Sequence, residues 1–155
     1  MIDKEGFRPN VGIVLCDGAG QLLWAKRAGQ DAWQFPQGGV DEGEDLEVAA
    51  RRELFEETGL RSVDLLGRTE GWIVYDFPPE VLNGAMKKRG NIGQKQVWFA
   101  FRFTGTDDEV DLQAHGEQEF DAWRWADLSE APGLIVPFKR GVYDRVCAAF
   151  ARFAA

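Results

Sequence analysis

Three glutamates, Glu53, Glu56 and Glu57, stand at positions i, i+3 and i+4 in a stretch that opens with Gly38-Gly39 and closes with Gly59-Leu60. Carboxylates at that spacing share one arc of a helix, and hard divalent ions such as Mg²⁺ and Mn²⁺ prefer carboxylate oxygen. At about 100° per residue, with Leu46 as zero, Ala50 falls near about 40°, Glu53 about −20°, Glu57 about 20° and Glu56 about −80°. The acids therefore continue the apolar face instead of opposing it. Burying several unpaired carboxylates together costs on the order of several kcal/mol in desolvation and repulsion. Arg52, four residues before Glu56, can make one intrahelical pair, but one guanidinium does not neutralise three carboxylates. A Glu-rich segment on its own is ordinarily a charged surface helix, and Val48 and Phe55 on the far side blur the pattern. Gly38 and Gly39, which let backbone approach closely just before the helix, favour a bound cation.

Other chemistries lack their parts. The one histidine, His115, lies in a polar stretch, so zinc sites and histidine-based nucleophilic catalysis both lack their usual parts. Cys16 and Cys147 have neither a disulfide framework nor metal-ligand spacing, and both read as buried free thiols. The net charge of −8 argues against non-specific adhesion to nucleic acid or an anionic membrane. Acidic residues concentrate in 41–57 and 107–121, whereas Lys26-Arg27, Lys87-Lys88-Arg89, Lys95 and Lys139-Arg140 form separate basic spots. An acidic pocket rimmed by cations suits a metal ion and a polyphosphate.

The elements that must position these residues follow from pattern. Val11–Cys16, the turn Asp17-Gly18-Ala19-Gly20 and Gln21–Ala25 predict a hairpin. Trp33-Gln34-Phe35 is extended ahead of Pro36, and Gln37-Gly38-Gly39 loosens the backbone. A helix runs from Asp45, its N-cap, to Thr58, with Gly59 as the stop. Trp72–Tyr75 and Ala122–Trp125 read as strands, and residues 83–93 as a mobile loop. Gln96–Phe103 is the strongest strand, with Val97, Phe99, Phe101 and Phe103 on one face. Val142, Tyr143, Val146, Phe150 and Phe153 mark a C-terminal helix. Trp33, Trp98, Trp123 and Trp125 read as core or half-buried packing. The expected architecture is α/β, a mixed sheet flanked by helices, in a single domain over 1–155. The 155 residues contain no apolar run of about 20 and no secretory leader, so a cytoplasmic, membrane-free protein is expected.

The segment reads Gly38, five residues, Glu44, seven residues, then Arg52-Glu53-Leu54-Phe55-Glu56-Glu57-Thr58-Gly59-Leu60. It resembles the Nudix box, 38–60, at every specified position. The resemblance implies a mixed sheet between helices and hydrolysis of a nucleoside diphosphate linked to another moiety. It carries metal ligation by Mg²⁺, with Mn²⁺ or another divalent ion as substitute, onto Glu53, Glu56 and Glu57 and the carbonyl of Gly38. Gly39, Glu44, Arg52 and Gly59 map onto positions that brace the loop and helix.

Beyond the box, the chain is similar to the bacterial RNA 5′-pyrophosphohydrolase branch of that family, which overlaps with the diadenosine polyphosphate hydrolases. The likeness rests on residues 6–13, 33–39, 92–96, 119–125 and 136–140. It implies that Arg8 meets the phosphate chain, that Arg27 and Phe138 sandwich a base, and that Val136 and Lys139 meet its edge. Gln37 and Gln94 become substrate contacts, and Glu119 a further metal ligand or general base. The implied reaction is in-line attack of water on a phosphorus of a 5′-triphosphate (or diphosphate) RNA end, leaving 5′-monophosphate RNA and initiating mRNA decay. One of Glu56, Glu57 and Glu119 takes the proton. A diadenosine tetraphosphate hydrolase uses the same chemistry on a dinucleoside polyphosphate, and a non-catalytic nucleotide sensor would keep only the fold. The intact glutamate set argues against the sensor.

Overall fold

The strands, numbered along the chain, are β1 (Phe7–Cys16), β2 (Gln21–Arg27), β3 (Trp33–Gln34), β4 (Gln37–Gly39), β5 (Val63–Arg68), β6 (Ile73–Asp76), β7 (Gly93–Phe103) and β8 (Phe120–Asp127). The helices are α1 (Leu46–Thr58) and α2 (Arg140–Ala154). The computed structural model describes the chain except residues 1, 81, 83, 85–89, 131–139 and 155, and except the side chains of Leu128 and Ala154. The expected loop at 83–93 therefore lies largely outside the described residues; its last residue, Gly93, begins β7.

The eight strands form one mixed sheet in the order β3-β2-β1-β7-β5, with β4 on β1, β6 on β7 and β8 on β2. β1 and β7 are parallel and in register from Phe7 opposite Gly93 to Cys16 opposite Arg102, while the other pairs are antiparallel. A central parallel pair is stable only with both faces covered, and both are. On one face Ile13, Leu15, Phe99 and Phe101 pack against Ala49, Ala50 and Leu54 of α1. On the other, Val14, Trp24, Trp98 and Ala100 pack against Tyr143, Val146 and Phe150 of α2. The mixed sheet between helices is thus as the pattern predicts. Val97, Phe99, Phe101 and Phe103 do share a face of β7, but Trp98 and Ala100 opposite them are equally buried. Gly12 makes room for Trp98, because a Cβ at residue 12 would overlap the indole ring.

Three expectations are corrected and one strand was not anticipated. The β1–β2 hairpin is paired only at its closed end, Cys16 opposite Leu22, because the outer part of β1 takes β4 as its neighbour. Gln37-Gly38-Gly39 is not loose backbone but that strand, with Val11 opposite Gly38. Val63–Arg68 is a strand that its composition hides: it holds an exposed Asp64 and a register shift between Leu65 and Gly67. Cys147 is half-buried, whereas Cys16 is buried, and desolvation pushes both thiols up to about 11. Trp98 is core and Trp33, Trp123 and Trp125 are half-buried, as expected. Among the described residues no helix is long and apolar enough to cross a membrane.

Two contacts fix where the active segment sits. The backbone N–H of Phe35 donates to the Tyr143 hydroxyl at 3.0 Å, and the Phe35 and Tyr143 rings stack at 5.0 Å. Ile13 N–H donates to the Pro36 carbonyl at 2.9 Å. Together they anchor the chain on α2 and β1 immediately before β4.

Candidate active site

The helix α1 starts and stops where local chemistry dictates. Asp45 is extended and its side chain accepts from the Val48 N–H at 3.1 Å. Gly59, at φ 76°, takes the left-handed conformation that ends the helix, its N–H donating to the Phe55 carbonyl at 2.8 Å. Between these ends the helix packs against the sheet through Ala49, Ala50 and Leu54, which turns Glu53 and Glu57 inward.

Arg52 ties this helix to the loop before it. Its guanidinium donates to both Glu44 oxygens at 2.8 and 2.9 Å, to Glu53 Oε1 at 2.9 Å, to Glu56 Oε2 at 3.2 Å and to the Gly39 carbonyl at 2.9 Å. Glu44 in turn accepts from the Asp41 N–H at 3.0 Å. The bidentate fork explains why arginine and not lysine occupies residue 52. Glu44, Gly39 and Arg52 thus form a brace. Gly38 is required for another reason: a Cβ there would overlap the Glu53 carboxylate, so the absent side chain is the space into which Glu53 reaches.

A cleft of about 250 Å³ opens beside this brace. It is lined by Arg8, Arg27, Gln37, Gly38, Gly39, Glu53, Gln94 and Glu119, all expected from the sequence, and also by Asn10 and Gln34. The parallel register of β1 and β7 sets Arg8 opposite Gln94 and Asn10 opposite Gln96. Asn10 and Gln34 were missed. The available signal was strand alternation, which puts Asn10 on the same side as Arg8 two residues earlier in a run that otherwise turns apolar. Two larger hollows, about 450 Å³ beside the outer face of α1 and about 340 Å³ between β5–β6 and α2, bring no two carboxylates together.

Glu57 lies behind the cleft wall and is 3% exposed. Its Oε1 accepts from the Gln37 N–H at 3.3 Å, while its Oε2 is buried without a hydrogen-bond partner. Burial, then the neighbouring Glu119 and Glu53, hold this carboxyl well above the usual range. Glu53 is pushed up to about 7 by burial despite the opposing pull of Arg52. Arg52 holds Glu56 on one side, and His115 Nε2 lies 3.9 Å from its other oxygen. Glu56 does not line the cleft. Among the described residues no three acidic, histidine or cysteine side chains form a ready-made ion cage. The donor set nevertheless fits a hard divalent cation: carboxylate oxygens, one orphaned in the interior, whose mutual repulsion a cation relieves. Val136, Phe138 and Lys139, expected at the base, lie outside the described residues, as do Lys87, Lys88 and Arg89.

Comparison with known proteins agrees with this geometry. Residues 6–146 match the model of the NUDIX domain. The chain is 63% identical to an RNA pyrophosphohydrolase of Caulobacter vibrioides (strain NA1000 / CB15N) over 99% of its length and 91% of the relative's. It is 52% identical to an RNA pyrophosphohydrolase of Acidiphilium cryptum (strain JF-5), over 96% of this chain and 92% of that one. Among solved structures, a C. elegans Ap4A hydrolase binary complex is similar in fold, with TM-score 0.66 and 19% identity, covering 93% of this chain and 98% of that one.

Proposed function

We propose, on the premise that this chain belongs to the NUDIX domain family, that it is an RNA pyrophosphohydrolase converting triphosphorylated or diphosphorylated RNA 5′ ends to 5′ monophosphates. The observation that carries the chemistry is the meeting of Glu53 and Glu119 with Arg8 and Arg27 around one cleft, with the orphaned Glu57 oxygen behind it. The RNA substrate is supported by the relatives, which match this chain almost end to end.

Glu53, Glu57, Glu119 and the Gly38 carbonyl would hold Mg²⁺, or Mn²⁺ in its place, with Glu56 joining if its side chain leaves Arg52. When bound, the ion offsets phosphate charge and makes a water nucleophilic. The protein's own groups do the rest. Arg8, with no carboxylate partner among the described residues, is free to fork onto two phosphate oxygens. Arg27 also lines the cleft, and its charge draws the Glu57 carboxyl down against burial. One of Glu56, Glu57 and Glu119 would accept the proton of the attacking water. Its proposed compartment is the cytoplasm, where triphosphorylated RNA is the partner.

The test compares kcat/KM for a short 5′-triphosphate RNA and for diadenosine tetraphosphate in Mg²⁺. A preference for the RNA is expected. A strong preference for the dinucleotide would replace this function with dinucleoside polyphosphate hydrolysis, and tight binding of either without hydrolysis would leave a sensor.

A further inference from the structure

The hydrogen bonds behind the cleft all run in one direction. Trp98 is buried, and its indole N–H can only donate; it donates to Gln96 Oε1 at 3.1 Å. That contact decides how the buried Gln96 carboxamide lies. Its oxygen faces the core, so its NH₂ faces the site, donating to Asn10 Oδ1 at 2.8 Å and to Gln37 Oε1 at 3.3 Å. The reverse orientation would set NH₂ against indole N–H and leave a buried donor unsatisfied.

A second bond points the same way: the Tyr75 hydroxyl donates to Gln94 Oε1. Asn10 and Gln94 thus each have the oxygen taken, each lines the cleft, and among the described residues neither NH₂ group meets an acceptor.

We propose that the NH₂ group of Asn10 binds a non-bridging oxygen of the substrate's phosphates, joining Gln94, already expected as a substrate contact, and that Trp98 is a positioning residue that sets the direction of Asn10 through Gln96. The proposal rests on the polyphosphate reading of the cleft given above. Neutral amide donors suit this floor for a physical reason. A further arginine or lysine beside Glu53 and Glu119 would pair with those carboxylates and compete with a metal ion, whereas a carboxamide donates to phosphate without neutralising them. With the relay reversed, Asn10 would present its carbonyl oxygen to an anion and repel it.

The experiment measures binding of imidodiphosphate, a non-hydrolysable pyrophosphate analogue, with Mg²⁺ by calorimetry, and follows side-chain NH₂ signals by ¹⁵N NMR. In the wild type, the Asn10 and Gln94 signals shift on binding while that of exposed Gln113 does not. Asn10→Leu, which keeps the branched shape, weakens binding by about tenfold, the scale of one hydrogen bond to a charged group. Trp98→Phe keeps a ring and removes the N–H; binding weakens by at least about threefold, and KM for 5′-triphosphate RNA rises by more than kcat falls. Wild-type binding with an unmoved Asn10 signal overturns the proposal, as does Asn10→Leu or folded Trp98→Phe binding as tightly as wild type. Failure of the wild type to bind the analogue at all is a different result: it overturns the polyphosphate reading and removes the relay's substrate with it.

Discussion

Replacing Glu53 with glutamine should make the metal-free protein more stable at alkaline pH and leave it unchanged at acid pH. In the folded chain Glu53 titrates at about 7 instead of the ordinary 4.5, because burial outweighs the pull of Arg52. The sign follows directly. Between those values the folded protein keeps a proton that the unfolded chain releases, so stability is intact below the ordinary value and falls as pH rises through the folded one. By about pH 8 the loss is complete, and a carboxyl displaced this far corresponds to about 3 kcal/mol. The Glu53 side chain is only 13% exposed, so solvent screens little of this. Glutamine removes the charge and retains an oxygen for Arg52 Nη1, but loses part of the ionic attraction. The expected net gain is about 1 to 3 kcal/mol, or about 3 to 10 °C in Tm for a chain of this size.

Thermal unfolding in chelator, wild type against Glu53→Gln, near about pH 5 and about pH 8, reads this gap. Titrations that Glu53 does not influence cancel between the two proteins, while Glu57, held up partly by Glu53, shifts in the same direction as the main effect. Glu44, for example, is held below its usual range by Arg52, so it adds stability as pH rises through that region, equally in both. Magnesium at about 100 times its Kd should then add about 2.7 kcal/mol to the wild type at alkaline pH and much less to the variant. A gap that is the same at both pH values, or a variant less stable than wild type in chelator at the higher pH, would show that burial does not destabilise the Glu53 carboxylate.

Glu57→Gln should lower kcat by at least about 10²-fold while the protein stays folded, since it removes the orphaned carboxylate oxygen that would hold the cation. Wild-type turnover in steady-state assays would remove Glu57 from the catalytic set. Gly38→Ala should displace the Glu53 carboxylate, which occupies the place of the new methyl, and cost about 1 to 3 kcal/mol together with most metal-dependent activity. Unaltered Mn²⁺ affinity and Tm in that variant would show that the close approach is not required.

Much of the site was legible in the sequence because its signals are local. Asp45, Gly59 and the spacing of Glu53, Glu56 and Glu57 act within a few residues along one helix, and the helix ends where they say it does. The alternation of Gln96–Phe103 and the three-four spacing near the C-terminus likewise identify the central strand and the second helix. Arg52 and Glu44, eight residues apart, were matched to a bracing role by the family motif they share, and two hydrogen bonds join them.

Pairing across the chain was not legible. Nothing local to Gln37-Gly38-Gly39 shows that it completes β1, and Val63–Arg68 becomes a strand only because the outer edge of β7 accepts it. The parallel register of β1 with β7 joins residues about eighty-six positions apart, such as Asn10 and Gln96, whose hydrogen bond is printed in no short segment. Direction is likewise a tertiary property: a carboxamide has a donor side and an acceptor side, and only the indole N–H of a buried Trp98 decides which one reaches the cleft. The sequence by itself determined the helix, its caps and the type of ligand atom it carries, since these depend on neighbours along the chain. The tertiary structure decided which glutamate is orphaned in the interior, which is held by Arg52, and which polar groups face the substrate, since burial and pairing depend on neighbours in space.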